Sequence, residues 1–461
     1  MKILNVDVAI IGAGTAGMTA YRQVLRRGKT AVLIEDSHYG TTCARVGCMP
    51  SKLLISAADH RHAIAEAPKF GVNVDTSTVE VDGVAVMDRV KRERDRFVSF
   101  VVSDVEGFDA DTKLWGTARF TAENTLEVGD HTQVNAKAFV IASGTSPRTP
   151  AALQELGDKL LTTDEIFYWD DLPKSIAILG TGVIGMEIGQ ALHRLGVKVT
   201  VVNRSQRIVG IQDPKVAENA RNVFSEEMDI RFDTQVLRAE RQGNEVQLSL
   251  QDAQGAESLL TVECVLNAAG RQPNIEKLNL AAAGVTVDAK GKLSFNAHTL
   301  QVENKPIFLA GDVNGLHPIL HEAADDGRIA ADNAVNWPIA PQAPARRCPM
   351  KVVFSNPQVM SVGLAFSQLP ADVRIGEVSF TNQGRSRVML ENKGMLRVYA
   401  DKNTDVFLGA EMVGPSAEHL AHLLAWSAQQ QLTIKEMLGM PFYHPVVEEG
   451  LRTALRNTHS N

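Results

Sequence analysis

Cysteine is scarce, with only four in 461 residues, too few for the disulfide framework of a small secreted domain. Long apolar runs are missing too: no stretch approaches the ~18 consecutive apolar residues of a membrane span. The amino terminus, MKILNVDVAIIGAG, passes straight into an apolar strand with no small-residue cleavage site, so a cytoplasmic protein without membrane association is expected. Surplus positive charge is absent. A formal charge of −7 argues against nucleic acid as a partner, because phosphate binding needs a cationic surface. The nearest basic run, Lys91 to Arg96, alternates with Glu93 and Asp95 and has Val86, Val90, Phe97 and Val101 at helical spacing. It reads as a solvated helix face.

What is present suffices for several cores. The length exceeds the ~250–300 residues at which a single core stops growing, and 44% apolar with 22% charged residues is ordinary for a globular chain. Two proline-rich stretches, SPRTP at 146–150 and WPIAPQAPARRCP at 337–349, interrupt helix and central strand alike and read as connectors. The last section, from about 350, mixes β-like runs (KVVF, MLRVYA, FLGAEMVG) with the helix-like AEHLAHLLAWSAQQ, an α+β pattern.

An internal repeat organises the rest. Residues 6–35 read apolar strand, G-A-G-T-A-G, helix, strand TAVLI, Glu35; residues 175–203 read strand SIAIL, G-T-G-V-I-G, helix, strand KVTVV, Asn203. The interval from Gly12 to Glu35 equals that from Gly180 to Asn203, so two βαβ nucleotide-binding units, and hence two dinucleotides, are expected. In each, the first glycine (Gly12, Gly180) permits the turn, the second (Gly14, Gly182) lets backbone approach a pyrophosphate, and the third (Gly17, Gly185) allows close packing of helix on strand. The helix N-terminus then meets the anion with free N–H groups. Glu35 stands where a carboxylate accepts hydrogen bonds from an unphosphorylated ribose, as in FAD or NAD. The second unit has Asn203 there, followed by Arg204 and then Arg207. An arginine at this place pairs with a 2′-phosphate, which gives a lean to NADPH; a solvent-facing arginine is the competing reading.

Cys43-Ala-Arg-Val-Gly-Cys48 precedes Met-Pro-Ser-Lys52. Two buried structural thiols or a zinc site are the alternatives to a redox pair. Zinc usually needs a second Cys/His pair at ligand spacing, and none is near, so no metal site is expected. A C-x4-C pair closes on itself if one helical turn brings the sulfurs together. An unperturbed thiol is only roughly 3% ionised at neutral pH, so a helix N-terminus at 48–52, Arg45 or a histidine from elsewhere must favour the thiolate. His444-Pro-Val-Val-Glu-Glu449 offers a histidine with a carboxylate one helical turn on to orient its ring; a packed turn histidine is the bland alternative. Cys264, in an apolar strand, and Cys348, in the second connector, read as structural.

With these motifs in place the sequence resembles the class I pyridine nucleotide-disulfide oxidoreductases, the family of dihydrolipoamide dehydrogenase, glutathione reductase and mercuric reductase. The likeness runs from Val6 to about Arg456 through G-x-G-x-x-G with Glu35, C-x4-C-M-P-S-K, A-S-G-T-S-P, the second G-x-G-x-x-G with Glu187, A-A-G-R-Q-P-N, L-A-G-D and H-P-x-x-x-E. It implies an α/β fold with two Rossmann-like domains and a carboxyl-terminal α+β dimerisation domain. FAD would be bound by residues 1–148 and 270–345, NAD(P) by 149–269, and the partner subunit by 346–461. Gly12, Gly14 and Gly17 would hold the FAD pyrophosphate, Glu35 its adenosine ribose and Asp312 its ribityl region, and Lys52, Ser143, Gly144 and Gly270 would also be cofactor-binding. Gly180, Gly182, Gly185, Asn203 and Arg204 would serve the nicotinamide nucleotide.

The same resemblance makes Cys48 the flavin-proximal sulfur, Cys43 the interchange thiol, and Lys52–Glu187 a pair near the point of hydride arrival. His444 with Glu449 would be a proton-shuttling dyad reaching the thiols of the other subunit, so that a homodimer shares its active sites. The family commonly has Gly where Thr41 stands and Asn where Arg45 stands, so an altered loop and thiol potential are expected. The carboxyl end lacks a second cysteine pair and no extra amino-terminal metal-binding domain is present, which disfavours mercuric reductase and high-molecular-weight thioredoxin reductase. The expected activity is that of dihydrolipoamide dehydrogenase or a close paralogue, acting on a small dithiol or a lipoyl domain. A reductase of a low-molecular-weight disulfide is the alternative, and a non-catalytic flavoprotein module a second one.

Overall fold

The computed structural model describes residues 1–289 and 291–459; the last two residues of the expected dimerisation segment lie outside these. The chain divides into two compact units, one comprising 1–50, 89–148 and 270–346 and the other 51–88, 149–269 and 347–461.

Among the described residues the first unit is built on a seven-stranded sheet. Its centre is parallel: Lys2–Ile11 lies between Ala31–Glu35 and Thr132–Ile141, with Lys113–Trp115 outside Glu35 and Ile307–Leu309 beside Thr132–Ile141. Where both faces are covered, at 8–11, 31–34 and 138–141, the strands read as continuous apolar runs. Val8, Ile10, Leu33, Val140 and Phe308 face one core with Tyr21 and Val24 of helix Thr15–Arg26, while Ala9, Ile34, Phe139 and Leu309 face another. Thr125–Val128 and Ala118–Ala122 extend the sheet in antiparallel fashion.

The second unit repeats the theme. Ser175–Leu179 pairs in parallel with Lys198–Val202 on one side and Cys264–Asn267 on the other, and an antiparallel meander, Gln235–Gln242, Glu245–Gln251 and Glu257–Val262, precedes the last of these. From 350 an antiparallel five-stranded sheet follows, in the order Met350–Val353, Gln358–Gly363, Phe407–Gly414, Met395–Ala400, Arg374–Ser379. Helices Ala417–Gln429 and Glu448–Asn457 bury Leu420, Leu424, Leu451 and Leu455 in its core. The α/β class with two nucleotide-binding sheets and a carboxyl-terminal α+β part therefore holds.

Residues 337–349 contain neither helix nor strand, as their prolines require. One sequence expectation needs correction. The stretch 91–96 lies on the helix Gly83–Glu106, but Arg94 is buried rather than solvated, because it falls four residues from both Val90 and Val98 on the inward face. Its guanidinium pairs with the exposed Asp95. No described helix is long and apolar enough to cross a membrane.

Candidate active site

The first glycine turn is shaped by close backbone approaches. Gly12 has φ 107°, and a Cβ there would lie 2.3 Å from the Ala142 carbonyl oxygen; one on Gly17 would lie 1.8 Å from the Gly12 oxygen. Gly14 faces open space instead. It is also the N-cap of helix Thr15–Arg26, with no side chain capping the first N–H groups. Bare donors over an open cradle fit a pyrophosphate. Glu35 has a second task that the sequence did not announce: its carboxylate accepts hydrogen bonds from Ala13 N–H at 2.7 Å, Ser37 N–H at 3.0 Å and Asp36 N–H at 3.1 Å. It thus fixes the turn itself while leaving lone pairs for a ribose.

Elsewhere in this unit the Ser143 hydroxyl donates to the Asn274 carbonyl at 2.7 Å and Asn274 Nδ2 donates back to the Ser143 carbonyl at 2.9 Å, locking A-S-G-T-S-P to A-A-G-R-Q-P-N. Gly144 and Gly270, in those two motifs, face open space. Arg271, which sequence reasoning passed over, reinforces the lock by donating to the Thr145 hydroxyl and carbonyl at 2.8 and 2.6 Å. Asp312 follows strand Ile307–Leu309 in a 3₁₀ turn. Burial pushes its carboxyl above the ordinary range, against the opposing charge of Arg271. These residues fit FAD: open glycines at the diphosphate, a carboxylate at the ribose position and a polar turn at the end of a central strand.

The second turn has the same skeleton. A Cβ on Gly180 (φ 112°) would meet the Ala268 oxygen at 2.7 Å, one on Gly185 the Gly180 oxygen at 2.0 Å, and Gly182 faces open space at an uncapped helix start. Asn203, however, is engaged as a donor: its Nδ2 bonds the Ser205 carbonyl at 2.8 Å and the Arg207 carbonyl at 3.2 Å. Thr181, inside the glycine turn, donates to the same Arg207 carbonyl at 2.6 Å. Arg204 and Arg207 are exposed, and neither side chain enters an ion pair among the described residues.

Cys43 is half-exposed on the short helix Thr42–Val46, and Cys48 is exposed as the first residue of the 19-residue helix Cys48–Glu66. A thiol at a helix N-terminus gains from the positive end of the dipole. Thr41, where the family favours glycine, adopts φ 55° and ψ 149°, a conformation costly for a β-branched residue. Its side chain compensates by accepting from Ala44 N–H at 3.3 Å. Arg45 donates from Nε to the Tyr39 carbonyl at 2.6 Å and packs over Gly40, so it braces the loop ahead of the cysteines.

Lys52 and Glu187 meet at 2.7 Å, with Glu187 only 4% exposed. The other carboxylate oxygen accepts from Phe354 N–H at 2.9 Å, and the Lys52 ammonium sits 4.6 Å from the Phe354 ring centroid. Phe354 carries no motif signal, and only the tertiary fold reveals it. At the carboxyl end His444 Nδ1 lies 3.0 Å from Glu449 Oε2. The Glu449 carboxyl is held below its ordinary value by that hydrogen bond first. Cys264 is buried, which pushes its thiol up to about 12 and makes it inert at neutral pH.

Residues 6–331 match the family model for pyridine nucleotide-disulphide oxidoreductase, and residues 350–455 match that family's dimerisation domain. The chain belongs to the pyridine nucleotide-disulphide oxidoreductase family, and its dimerisation domain supports a homodimer. It is similar to a dihydrolipoyl dehydrogenase of Thermus scotoductus, at 29% identity over 98% of this chain and 97% of the relative. It is equally similar to a mercuric reductase of Lysinibacillus sphaericus, at 29% identity over 98% of this chain and 82% of the relative. Its fold matches the HOCl-induced flavoprotein disulfide reductase RclA of Escherichia coli, with a TM-score of 0.82 and 24% identity over 98% of this chain and 99% of that one. It also matches LpdA of Mycobacterium tuberculosis, with a TM-score of 0.83 and 22% identity over 99% of each.

Proposed function

We propose that the protein is a cytoplasmic homodimeric dihydrolipoamide dehydrogenase or a close paralogue, passing two electrons from a dithiol through Cys43 and Cys48 to FAD and on to NAD(P)⁺. The observation that carries this reading is the 3.0 Å bond between His444 and Glu449, since a flavoprotein that only bound nucleotides would have no use for an oriented histidine. The domain assignment follows the sequence reading: 1–148 with 270–345 for FAD, 149–269 for the nicotinamide nucleotide and 346–461 for the partner subunit. In the FAD domain Gly12, Gly14 and Gly17 hold the diphosphate, Glu35 the adenosine ribose and Asp312 the ribityl chain. FAD, when bound there, supplies the two-electron relay between thiols and nicotinamide.

The remaining chemistry belongs to the chain. A substrate thiolate attacks Cys43 Sγ and breaks the Cys43–Cys48 bond, forming a mixed disulfide. The second substrate thiol yields its proton to His444 and displaces Cys43, closing the product disulfide. Cys48, at its helix N-terminus, keeps the released electron pair as a thiolate. Lys52, fixed by Glu187, marks the point where hydride leaves for NAD(P)⁺. In sum, dithiol and NAD(P)⁺ give disulfide, NAD(P)H and one proton.

A second reading, NADPH-driven reduction of a small disulfide, is favoured by Arg204 and Arg207, exposed beside a ribose position without a carboxylate. Steady-state assays of dihydrolipoamide and glutathione disulfide with both nicotinamides separate the two. The shared site is tested by co-expressing Cys43→Ser and His444→Ala chains. Isolated heterodimers contain one site built from Cys43 of one chain and His444 of the other. Partial recovery of turnover is expected, and none in well-folded, FAD-loaded heterodimers rejects the shared site.

A further inference from the structure

Glu449 does not serve His444 alone. Its Oε1 lies 3.2 Å from both His444 Nδ1 and Arg452 Nη2, while Oε2 takes His444 at 3.0 Å and Val446 N–H at 3.4 Å. Arg452 is three residues on from Glu449 in helix Glu448–Asn457, so helical geometry alone puts both on one face. Its guanidinium is steadied over the Phe442 ring, 5.7 Å from the centroid, on the segment leading into His444. The loop between is pinned from a neighbouring element: Gln383 Nε2 donates to the Val446 carbonyl at 2.7 Å, while Gln383 Oε1 is held by Ser386 N–H and hydroxyl at 2.7 and 2.8 Å. Gly450 lets Phe380 pack behind the helix start, since a Cβ there would come within 3.0 Å of the ring.

We propose that Arg452 is a positioning residue for His444, sharing the Glu449 carboxylate with it and so setting how tightly that carboxylate holds the imidazole and its proton. This rests on His444 being the proton-shuttling histidine. A carboxylate divided between two cations attracts each less than it would attract one, and the fixed guanidinium charge opposes a second positive charge nearby. Both effects loosen the grip of Glu449 on the imidazole. Removing the guanidinium ends its competition for Glu449, and the imidazole is held more tightly.

Most of the other charged groups near this site are engaged elsewhere. On the neighbouring helix Gly384–Met389, Arg387 donates to Asn382 and Arg385 acts on Glu391. Beside it on Ile434–Leu438, Glu436 is taken up by Thr433, and Lys435 is the charge left on that helix. On the strands under the terminal helix, Arg374 pairs with Asp405, and Arg397 with Asp213 and Glu377, the latter also held by Lys215. On the helix itself Glu448 precedes Glu449, and Arg456 lies a turn beyond Arg452. Tyr443 is the exposed neighbour on the other side. Among the described residues Arg452 is the cation in contact with the His444 partner.

The test uses the full-length, FAD-loaded homodimer labelled with ¹³C at histidine Cε1. The His444 signal is assigned by its absence in His444→Gln, and its titration is followed by NMR. In Arg452→Met the midpoint should rise by about half a pH unit, about threefold in proton affinity. The Arg452→Lys variant, which keeps the charge, should stay close to wild type. Arg452→Gln repeats the neutral change should the Met variant fold poorly. A midpoint unmoved in the folded neutral variants overturns the proposal, as does a lysine variant that behaves like them. Failure of the underlying reading looks different. If His444→Gln leaves exchange with dihydrolipoamide and with glutathione disulfide unchanged at every pH, His444 is not the proton shuttle, whatever Arg452 does to its titration.

Discussion

The two glycine turns of this chain have nearly the same backbone and opposite hydrogen-bonding roles at the equivalent residue, Glu35 at the end of strand Ala31–Glu35 and Asn203 just past strand Lys198–Val202. At the first, Glu35 gathers three backbone N–H groups, so one carboxylate builds the turn and keeps a negative charge beside it. At the second, Asn203 gives its N–H groups away to the Ser205 and Arg207 carbonyls, closing a loop that leaves two exposed arginines beside the site. Equal spacing on the chain thus carries two hydrogen-bonding patterns, because the side chain at that position is an acceptor in one and a donor in the other.

The shared skeleton breaks first if its closest approaches are filled. Gly17→Ala and Gly185→Ala each drive a Cβ to within about 2 Å of a turn carbonyl, and each should cost about 3 kcal/mol through forced backbone shifts. The two variants should differ in what they lose: Gly17→Ala its flavin absorbance, Gly185→Ala its nicotinamide binding with flavin retained, as read by absorbance and by titration with NADH and NADPH. Loss of both ligands by both variants would merge the two sites into one cooperative unit.

The electrostatic contrast is sharpened by Glu35→Gln against Asn203→Ala. A glutamine offers one acceptor and sets a donor against backbone N–H groups, so FAD affinity should fall about tenfold or more, a penalty of about 1.5–3 kcal/mol for unpaired donors. Asn203→Ala removes donors from carbonyls close to solvent and should cost about 1 kcal/mol, seen as a modest rise in the nicotinamide KM. Next comes Arg204→Glu, which should raise the KM for NADPH by about tenfold more than that for NADH if the arginine faces a 2′-phosphate. Equal responses would leave it a surface residue.

The smallest effect lies at the entry to the first turn. Asp7 clamps Thr30 N–H and hydroxyl at 2.9 and 3.0 Å and Lys137 at 2.8 Å, and the Lys137 hydrogen bond, followed by that of the Thr30 backbone, lowers its carboxyl to about 2. A carboxylate depressed in the folded state adds stability above its unfolded value, near 4, and loses it as pH falls toward 2. Asp7→Asn should therefore lower stability by about 1 kcal/mol at pH 7. Thermal melts should show that gap constant down to about pH 4 and shrinking below it.

Much of this protein is written locally. The glycine turns, the apolar strands before them and the second proline-bearing connector are set by what neighbouring residues can do with φ, N–H groups and burial, so the two nucleotide sheets and the irregular 337–349 were legible in the sequence, whereas Ser146 and Pro147 of the first connector belong to strand Thr145–Pro147, paired with Arg271–Pro273. His444 and Glu449, five residues apart, meet because a helix begins between them. Other features needed the folded chain. Lys52 and Glu187 are 135 positions apart, and Phe354 joins them from a third segment through a backbone N–H that no residue pattern can advertise. Arg94 looked like one charge in a solvated run until packing put it on the inward face. Glu35 stood out in the sequence as a carboxylate at the end of an apolar strand but not as the acceptor for three backbone donors, because a hydrogen bond depends on where the chain brings a donor and only tertiary structure fixes that.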